Sequence, residues 1–571
     1  MEKEHKIYEL WLKKASGNSE HLAELKGIAD NAEELKDRFY RGLEFGTAGL
    51  RGVLGMGTNR MNVYTVRQAT QGLSEFLLES TAYPSVAIAY DSRNLSDTFA
   101  RETACVFAAN GIKVYIYQEL MPTPALSYAV REYGCDAGVV ITASHNPANY
   151  NGYKAYGGDG CQLGPEQAGR VMRHISGIDI FDEVKSIAFE EAIKQGTVAY
   201  IPESFVQQYL NRVYEEAIQA EVCAKAGLKL VYTPLNGAGN RCVREVLQKA
   251  GIADIAVVPE QEHPDGNFPT CPYPNPEIKE TLALGLRLCE KLGADMLLAT
   301  DPDADRVAVA VKGENGGYRI LSGNEAGVLL LDYIANARRA KGTLPQNPIA
   351  VKSIVTSKLA DRVAEANGIE MRNVLTGFKY IGEVILGLEQ KGEESRFVLG
   401  FEESCGYLTG SYVRDKDAVN AALLLVEMAS AHKLVGKSPL ERLDEIYGEY
   451  GIYQNLVESF TFEGADGMRQ MADIMTSIRY TPPKEIAGCA VTSHTDYLVG
   501  KRIKGETESE TGLPASDVLE YELADGCSAI IRPSGTEPKI KIYYSLVADT
   551  SETIEALKKK YSAAGKKLVL G

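Results

Sequence analysis

The sequence predicts an α/β protein of several domains that ends in a smaller α+β unit, and three observations carry this. Short apolar, β-branched runs alternate with helical stretches along most of the chain. Two of these runs stop abruptly in polar loops, as strands of open α/β sheets do at their ligand-binding ends. The last ~120 residues change character, toward strand pairs joined by tight turns. A chain of 571 residues is too long for one core, so about three to five domains are expected.

Residues 1 to about 40 read as amphipathic helix, with Ile7, Leu10, Trp11 and Leu12 set among charges. Glycine-rich Glu44–Gly52 follows. Val86–Tyr90 reads as a strand ending in Asp91, Thr98–Ala109 as a helix and Val114–Tyr117 as the next strand; this alternation argues for a mostly parallel, doubly wound sheet. Gly138–Ile141 reads as a buried strand that delivers Thr142-Ala-Ser-His-Asn-Pro147 to a loop. From Asn149 to Gly160 the chain stays polar and glycine-rich, which reads as an adaptable loop outside the core. The pattern restarts at Leu228–Tyr232 with Ile255–Val258, and again at Ile349–Lys352 with Phe397–Gly400. Between these, the apolar run Met296–Thr300 ends in Asp301-Pro-Asp-Ala-Asp-Arg306. No sequence repeat is evident, so any repetition lies in the architecture. Cys527–Ile531 and Lys539–Tyr544 flank a turn as antiparallel strands, and Asp525-Gly526 supplies another turn.

Composition narrows the function. Hydrophobic residues make up 45% and charged residues 24%, as in ordinary globular proteins. The net charge of −16, from 61 basic and 77 acidic residues, disfavours nucleic acid as the main partner and leaves room for a local basic pocket. The ten cysteines form no C-x-x-C pair, so they read as reduced, mostly buried thiols of a cytoplasmic protein. The N-terminus lacks a signal-peptide apolar core, and no apolar segment reaches membrane-spanning length. Asn94-Leu95-Ser96 is a glycosylation triplet by pattern only.

Four loops carry chemistry. Ser144 offers a nucleophile, although taken alone a polar Asn-Pro turn accounts for it. No G-x-S-x-G surrounds it, and His145, adjacent in sequence, reads as poorly placed to act as a simple base on it. Lys154 is a candidate proton shuttle if neighbouring cations lower its pKa; the alternative is a solvated surface lysine. Asp301, Asp303 and Asp305 stand at i, i+2 and i+4, which in extended geometry project to one side and repel unless a cation neutralises them. An EF-hand is excluded by Arg306 and Lys312 at its sixth and twelfth positions, and hard oxygen ligands with room for a phosphate suit Mg2+. Arg306 could pair with an aspartate or reach a phosphate. Arg532-Pro-Ser-Gly-Thr-Glu-Pro-Lys539 makes an anion cradle, or a decorated hairpin turn. Phe401-Glu-Glu-Ser-Cys-Gly406 places a carboxylate and a hydroxyl at a spacing suited to vicinal sugar hydroxyls. Neither a Walker A sequence nor a complete G-x-G-x-x-G is present, so nucleotide cofactors are not indicated.

In combination and in order, these loops resemble the α-D-phosphohexomutases, the phosphoglucomutase and phosphomannomutase superfamily, over residues 40 to 545. Thr142–Pro147 is similar to the phosphoserine loop. Asp301–Arg306 resembles the metal loop, with Pro302 and Ala304 where glycines are usual. Phe401–Gly406 resembles the sugar loop, with Phe401 where glycine is usual, and Arg532–Lys539 the phosphate-binding loop. Thr47–Arg51 and Pro274–Glu277 add to the likeness. Phe401 and Tyr407 resemble the branch of larger phosphoglucomutases and phosphopentomutases.

The resemblance implies four domains around a central cleft, three with mixed doubly wound α/β cores and a smaller C-terminal α+β domain, divided at 1–206, 207–322, 323–448 and 449–571. It implies that Ser144 carries the phosphoryl group, with Asp301, Asp303, Asp305 and the phosphoserine holding Mg2+. Lys154 would be the acid/base, supported by Arg51 and His145. Glu402 and Ser404 would grip sugar hydroxyls. Arg532, Ser534, Gly535, Thr536 and Lys539 would clamp the phosphate that does not react, with Gly377, Lys379, Lys416 and Arg306 also contacting substrate. The implied activity interconverts glucose 1-phosphate and glucose 6-phosphate through glucose 1,6-bisphosphate, in a cytoplasmic monomer or homodimer that binds small sugar phosphates and neither nucleic acid nor membrane. Mannose or pentose phosphates are the alternatives. A competing reading, from Asp303-Ala-Asp305-Arg-Val307, is an aspartyl-phosphate enzyme of the haloacid-dehalogenase type, whose acyl phosphate, unlike a serine ester, would not survive acid and hydroxylamine. A third is a non-catalytic sugar-phosphate sensor.

Overall fold

The computed structural model describes residues 2–46, 49–462, 466–534 and 538–570. Four sheets follow one another along the chain. The first runs Leu50–Val53, Tyr150–Gly157, Ala137–Ile141, Ser85–Tyr90, Lys113–Tyr117, Val198–Ile201; its last four strands are parallel and its first two antiparallel. The second runs Tyr318–Leu321, Val307–Lys312, Met296–Thr300, Leu230–Thr233, Ile255–Val257, and the third Glu370–Val374, Ile349–Ser353, Phe397–Glu402, Gly406–Leu408.

One device recurs in these three sheets. A strand with a parallel neighbour on one side runs into a loop, and the chain returns antiparallel on its other side. Ala137–Ile141 returns as Tyr150–Gly157, Met296–Thr300 as Val307–Lys312, and Phe397–Glu402 as Gly406–Leu408. The outgoing strands are buried along their whole length, which is why each reads as an unbroken apolar run. The expected repetition of architecture is this hairpin return.

The segment read as a polar loop after Pro147 is instead the buried strand Tyr150–Gly157. Its polarity does not keep it out of the core because its buried polar side chains find partners. Asn151 Nδ2, for example, donates to Asn94 O and Ser96 Oγ at 3.0 Å each. Gly152 fits because it has no side chain; a Cβ there would lie 2.5 Å from Thr142 O.

The helix Ala418–Leu434 is apolar on every side and buried, as a central helix must be. It packs against Glu203–Tyr214, Glu221–Ala226 and Gly239–Lys249, and joins the first three sheets in one continuous core. Its cap, Asp417, accepts the Val419 N–H at 2.8 Å and the Tyr412 hydroxyl at 2.7 Å, which fixes Lys416 just ahead of it. Phe401 stands against Gly327 of the helix Gly323–Lys341, where a Cβ would come within 2.2 Å of the ring. The missing side chain at Gly327 makes room for the Phe401 ring.

The N-terminal stretch forms three helices, Glu2–Lys14, Ser19–Gly27 and Ala32–Phe39, which close a small core around Trp11. The fourth sheet is wholly antiparallel and has its own core under the helices Gly467–Tyr480 and Ser551–Leu570. It meets the third domain through Ile354, Val355 and Leu375 against Tyr497, Val518 and Ile530, and through Lys358, 3.1 Å from Glu522. All ten cysteines are free, and all but Cys489 are buried. Among the described residues no single helix is long and apolar enough to cross a membrane.

Candidate active site

The Thr142 hydroxyl accepts the Ser144 N–H at 2.7 Å and turns the chain sharply, so that Ser144 takes φ +50°, a left-handed conformation costly for a residue with a Cβ. Ser144 Oγ then donates to Asp301 Oδ2 at 2.8 Å, across the boundary between the first and second domains. His145 Nδ1 lies 3.2 Å from the same hydroxyl. This corrects the expectation that sequence adjacency keeps His145 away: extended backbone would separate the two side chains, but the left-handed turn brings the ring back. Burial first, then the charges of Arg306 and Arg51, holds His145 well below its ordinary 6.5, so the ring is neutral and meets the Ser144 hydroxyl as an uncharged hydrogen-bond partner.

The three aspartates do not lie on extended backbone as expected. They occupy a turn with Ala304 at φ +48°, and it is the turn that gathers ligand oxygens from all three within 4.8 Å of one another. Asp301 Oδ1 accepts the N–H groups of Asp305 at 3.1 Å and Arg306 at 3.0 Å. Asp303 Oδ2 accepts from Lys154 Nζ at 2.8 Å and from the Thr123 hydroxyl at 3.0 Å. Lys416 Nζ is 2.9 Å from Asp305 Oδ2. Asp303 Oδ1 and Asp305 Oδ1 are buried with no hydrogen-bond partner. Such orphaned carboxylate oxygens are costly unless something cationic meets them, and with Asp301 and the serine oxygen they form a hard donor set that fits a divalent cation of the Mg2+ kind.

Burial, with the charges of Asp303 and Asp305, pushes Asp301 well above the usual carboxylate range. Burial acts the same way on Asp303, but Lys154 outweighs it and holds that carboxyl well below the usual range. Burial alone would lower Lys154; Asp303 and Asp305 reverse this and raise it. The expectation that cations tune Lys154 downward is therefore corrected, because its nearest neighbours are carboxylates. Lys154 is a buried strand residue and not a solvated surface lysine.

Glu402 ends the strand Phe397–Glu402 and accepts the N–H of Gly377 on Oε1 at 2.8 Å. Gly377, at φ +124°, caps the helix Phe378–Glu389. Burial, and then the Glu403 charge, raises Glu402 from 4.5 to about 7. The folded protein therefore holds a proton that the unfolded chain releases between those values, so this group lowers stability as pH rises from 4.5 to about 7. Glu402→Gln should raise stability at pH 8 by roughly 1–3 kcal/mol and leave it nearly unchanged at pH 4. Urea unfolding at the two pH values checks this; equal effects at both would refute it.

The remaining candidates fall into two groups. Arg51 Nη1 donates to Asn146 Oδ1 at 3.0 Å, and Arg306 pairs with Glu277 of the Pro274–Glu277 segment, so both join the Ser144–aspartate cluster. Lys416 Nζ also faces the Phe378 ring at 5.9 Å. The second group gathers where the third domain meets the fourth. Lys379 Nζ lies 4.8 Å from the Tyr380 ring, and Arg532 sits close enough to Tyr380 and Tyr543 for both phenols to feel its charge. Ser404 is half-buried in the turn before Gly406. The Ser534 N–H donates to Lys539 O at 2.7 Å across the hairpin. Gly535 and Thr536 lie outside the described residues.

Sequence reasoning missed three residues. Asp91 and Arg93 lie beneath the Ser144 loop, and Thr123 donates its N–H to Asp303 O at 2.8 Å. The strand end at Asp91 was visible, but nothing in the spacing showed what Arg93 or Thr123 would touch.

Three α/β domains with loops carried on hairpin returns, two of them meeting in a hydroxyl–carboxylate centre, and an antiparallel fourth domain define a phosphohexomutase architecture. The chain belongs to the phosphoglucomutase/phosphomannomutase family: its alpha/beta/alpha domains I, II and III match residues 42–180, 207–316 and 322–450. A phosphoglucomutase of Staphylococcus aureus (strain USA300) is 35% identical over 559 residues, covering 96% of this chain and 98% of its own. Among solved structures, pp63/parafusin, a phosphoglucomutase from Paramecium in its open form, superposes with a TM-score of 0.67 at 18% identity over 93% of this chain and 96% of its own. A phosphoglucomutase/phosphomannomutase family protein from Burkholderia thailandensis gives 0.65 at 17% identity over 92% and 97%.

Proposed function

We propose that this enzyme is an isomerase that interconverts glucose 1-phosphate and glucose 6-phosphate by phosphoryl transfer through Ser144, with glucose 1,6-bisphosphate as intermediate and activator. The observation that carries the reading is the 2.8 Å hydrogen bond from Ser144 Oγ to Asp301. It puts a nucleophile beside a cation-ready carboxylate cluster, an arrangement that binding alone does not require.

In the first half-reaction the P–Oγ bond of phosphorylated Ser144 breaks as a bond forms from phosphorus to the free hydroxyl oxygen of the sugar phosphate. One proton leaves that hydroxyl and one is gained by Ser144 Oγ, so the step balances with Lys154 as relay and neutral His145 and Arg51 in support. After the bisphosphate turns over, the same steps run in reverse with the other phosphate. Asp301, Asp303, Asp305 and the Ser144 oxygen would hold Mg2+, which when bound would neutralise charge on the moving phosphoryl group and weaken the carboxylate field on Lys154. Glu402 and Ser404 accept and donate to ring hydroxyls. Arg532, Ser534, Gly535, Thr536 and Lys539 hold the idle phosphate, with Lys379, Lys416, Gly377 and Arg306 along the path. Domain limits at 1–206, 207–322, 323–448 and 449–571 give each of the four loops its own domain. We place the enzyme in the cytoplasm as a monomer or homodimer.

The test is a coupled mutase assay across glucose 1-phosphate, mannose 1-phosphate and ribose 1-phosphate with Mg2+ and the matching bisphosphate. The highest kcat/KM is expected on glucose 1-phosphate. A preference for another sugar would reassign the substrate, and release of inorganic phosphate with no isomer would end the mutase reading.

A further inference from the structure

We propose that Arg93 is the positioning residue that sets the Ser144 turn against the carboxylate cluster, and that it does so from a seat on Phe268 of the second domain. Its guanidinium is fully buried. It is spent on the carbonyls of one short stretch: Ser144 O at 2.5 Å, Pro147 O at 2.8 Å, Tyr150 O at 3.1 Å, and Asn146 O. These carbonyls cluster around the guanidinium, and of them Pro147 O also accepts the Tyr150 N–H at 3.0 Å. Buried carbonyls need donors, and one planar fork of five N–H groups serves four of them at once; a lysine ammonium is a point donor and cannot.

Arg93 is itself held from two sides, by Asp91 and by the Phe268 ring. Asp91, equally buried, lies 3.5 Å from Nε. Asp91 Oδ1 also accepts the Arg93 N–H at 2.9 Å and the Ser96 hydroxyl at 2.8 Å. The guanidinium carbon stands 5.1 Å from the centroid of the Phe268 ring. Phe268 has φ +45°, and the segment before it rests on the first domain so closely that a Cβ on Gly266 would lie 2.4 Å from Asn94 N. Phe268 belongs to the domain that carries Asp301, so one side chain grips the nucleophile loop with its edge and the metal-loop domain with its face. Thr123, bonded to Asp303 through both backbone and hydroxyl, pins the other flank. Arg93 touches neither the Ser144 hydroxyl nor the aspartates; its effect is on their separation.

The kinetic consequence rests on the proposed mutase reaction. Arg93→Lys keeps the charge and loses the fork. Its kcat should fall about 100-fold with KM for glucose 1-phosphate within about threefold, because a small misplacement of the nucleophile costs rate and not sugar binding. Phe268→Leu, a milder change, should lower kcat by roughly 3- to 10-fold with the same split. Hydrogen–deuterium exchange of both variants should quicken at residues 144–150 and not at 300–306, which needs no assumption about the reaction. Wild-type kcat in Arg93→Lys, a loss shared equally by kcat and KM, or unchanged exchange at 144–150 in both variants would overturn the assignment. If wild-type protein turns over no sugar phosphate, the mutase reading falls by itself, and the exchange pattern still decides whether Arg93 sets the turn.

Discussion

Ser144→Ala is expected to abolish sugar-phosphate turnover, with kcat lower by about 10⁴-fold or more, while the fold survives. The loss is large because, among the described hydroxyls, Ser144 Oγ alone bridges Asp301 and His145; the Thr123 hydroxyl, 3.0 Å from Asp303, is a buried donor to that carboxylate. The fold survives for an electrostatic reason. Removing the hydroxyl takes one donor from Asp301 Oδ2, but burial and the charges of Asp303 and Asp305 favour the protonated form of Asp301, so no naked charge is left behind. The cost should be about 1 kcal/mol, that of one hydrogen bond. Alanine meets the same left-handed strain at φ +50° that serine already bears. Radiolabelled glucose 1,6-bisphosphate should phosphorylate wild type and not the variant, and the wild-type label should withstand acid and hydroxylamine. A label retained by Ser144→Ala, or one lost to hydroxylamine, would move the phosphoryl group to a carboxylate and defeat the scheme.

How much of this was legible in the sequence depends on the range of the interaction involved. Met296–Thr300 appears in the structure with the bounds its apolar run suggested, because a strand buried on both faces writes its burial into consecutive residues. Cys527–Ile531 and Lys539–Tyr544 pair antiparallel as expected, since a hairpin is a local object. Tyr150–Gly157 was misread because its polar side chains are paid for by partners far away in sequence, such as Asn94 for Asn151. The three aspartates come together, but on a different backbone: the i, i+2, i+4 spacing suggests an extended segment, while the positive φ of Ala304 is what closes the cluster. Arg93 and Thr123 left no local trace, because what they do is fixed by contacts across a fold that spacing alone does not reveal. Ser144 and the three aspartates were conspicuous because each group follows directly on an apolar strand run, whereas Lys154, in the middle of Tyr150–Gly157, stood out only as a lysine in a polar segment.

The aspartates should not be interchangeable, and metal-free stability should separate two of them. Asp303 carries charge and is paired with Lys154 at 2.8 Å, both side chains being buried. Asp303→Asn leaves Lys154 with only Asp305 nearby, at 3.5 Å, and should cost about 3 kcal/mol. Asp301 is raised well above its ordinary 3.8 and accepts two backbone N–H groups on Oδ1, which an asparagine oxygen can also do. Asp301→Asn should therefore cost less than about 1 kcal/mol without metal. The pH dependences run in opposite directions. Asp303, with a depressed folded value, contributes stability above its ordinary 3.8 that is lost as pH falls toward the folded value. Asp301, with a raised value, subtracts stability as pH climbs above 3.8 toward its folded value. With Mg2+ the two variants should converge. Wild type at 100 times Kd gains about 2.7 kcal/mol, and each variant, short of one charged ligand, should lose most of that gain together with roughly 10³-fold in kcat. Urea unfolding with and without Mg2+ reads both quantities. Equal metal-free costs would mean that the charge is spread evenly over the cluster, and full Mg2+ stabilisation in either variant would mean that the cation does not sit on these carboxylates.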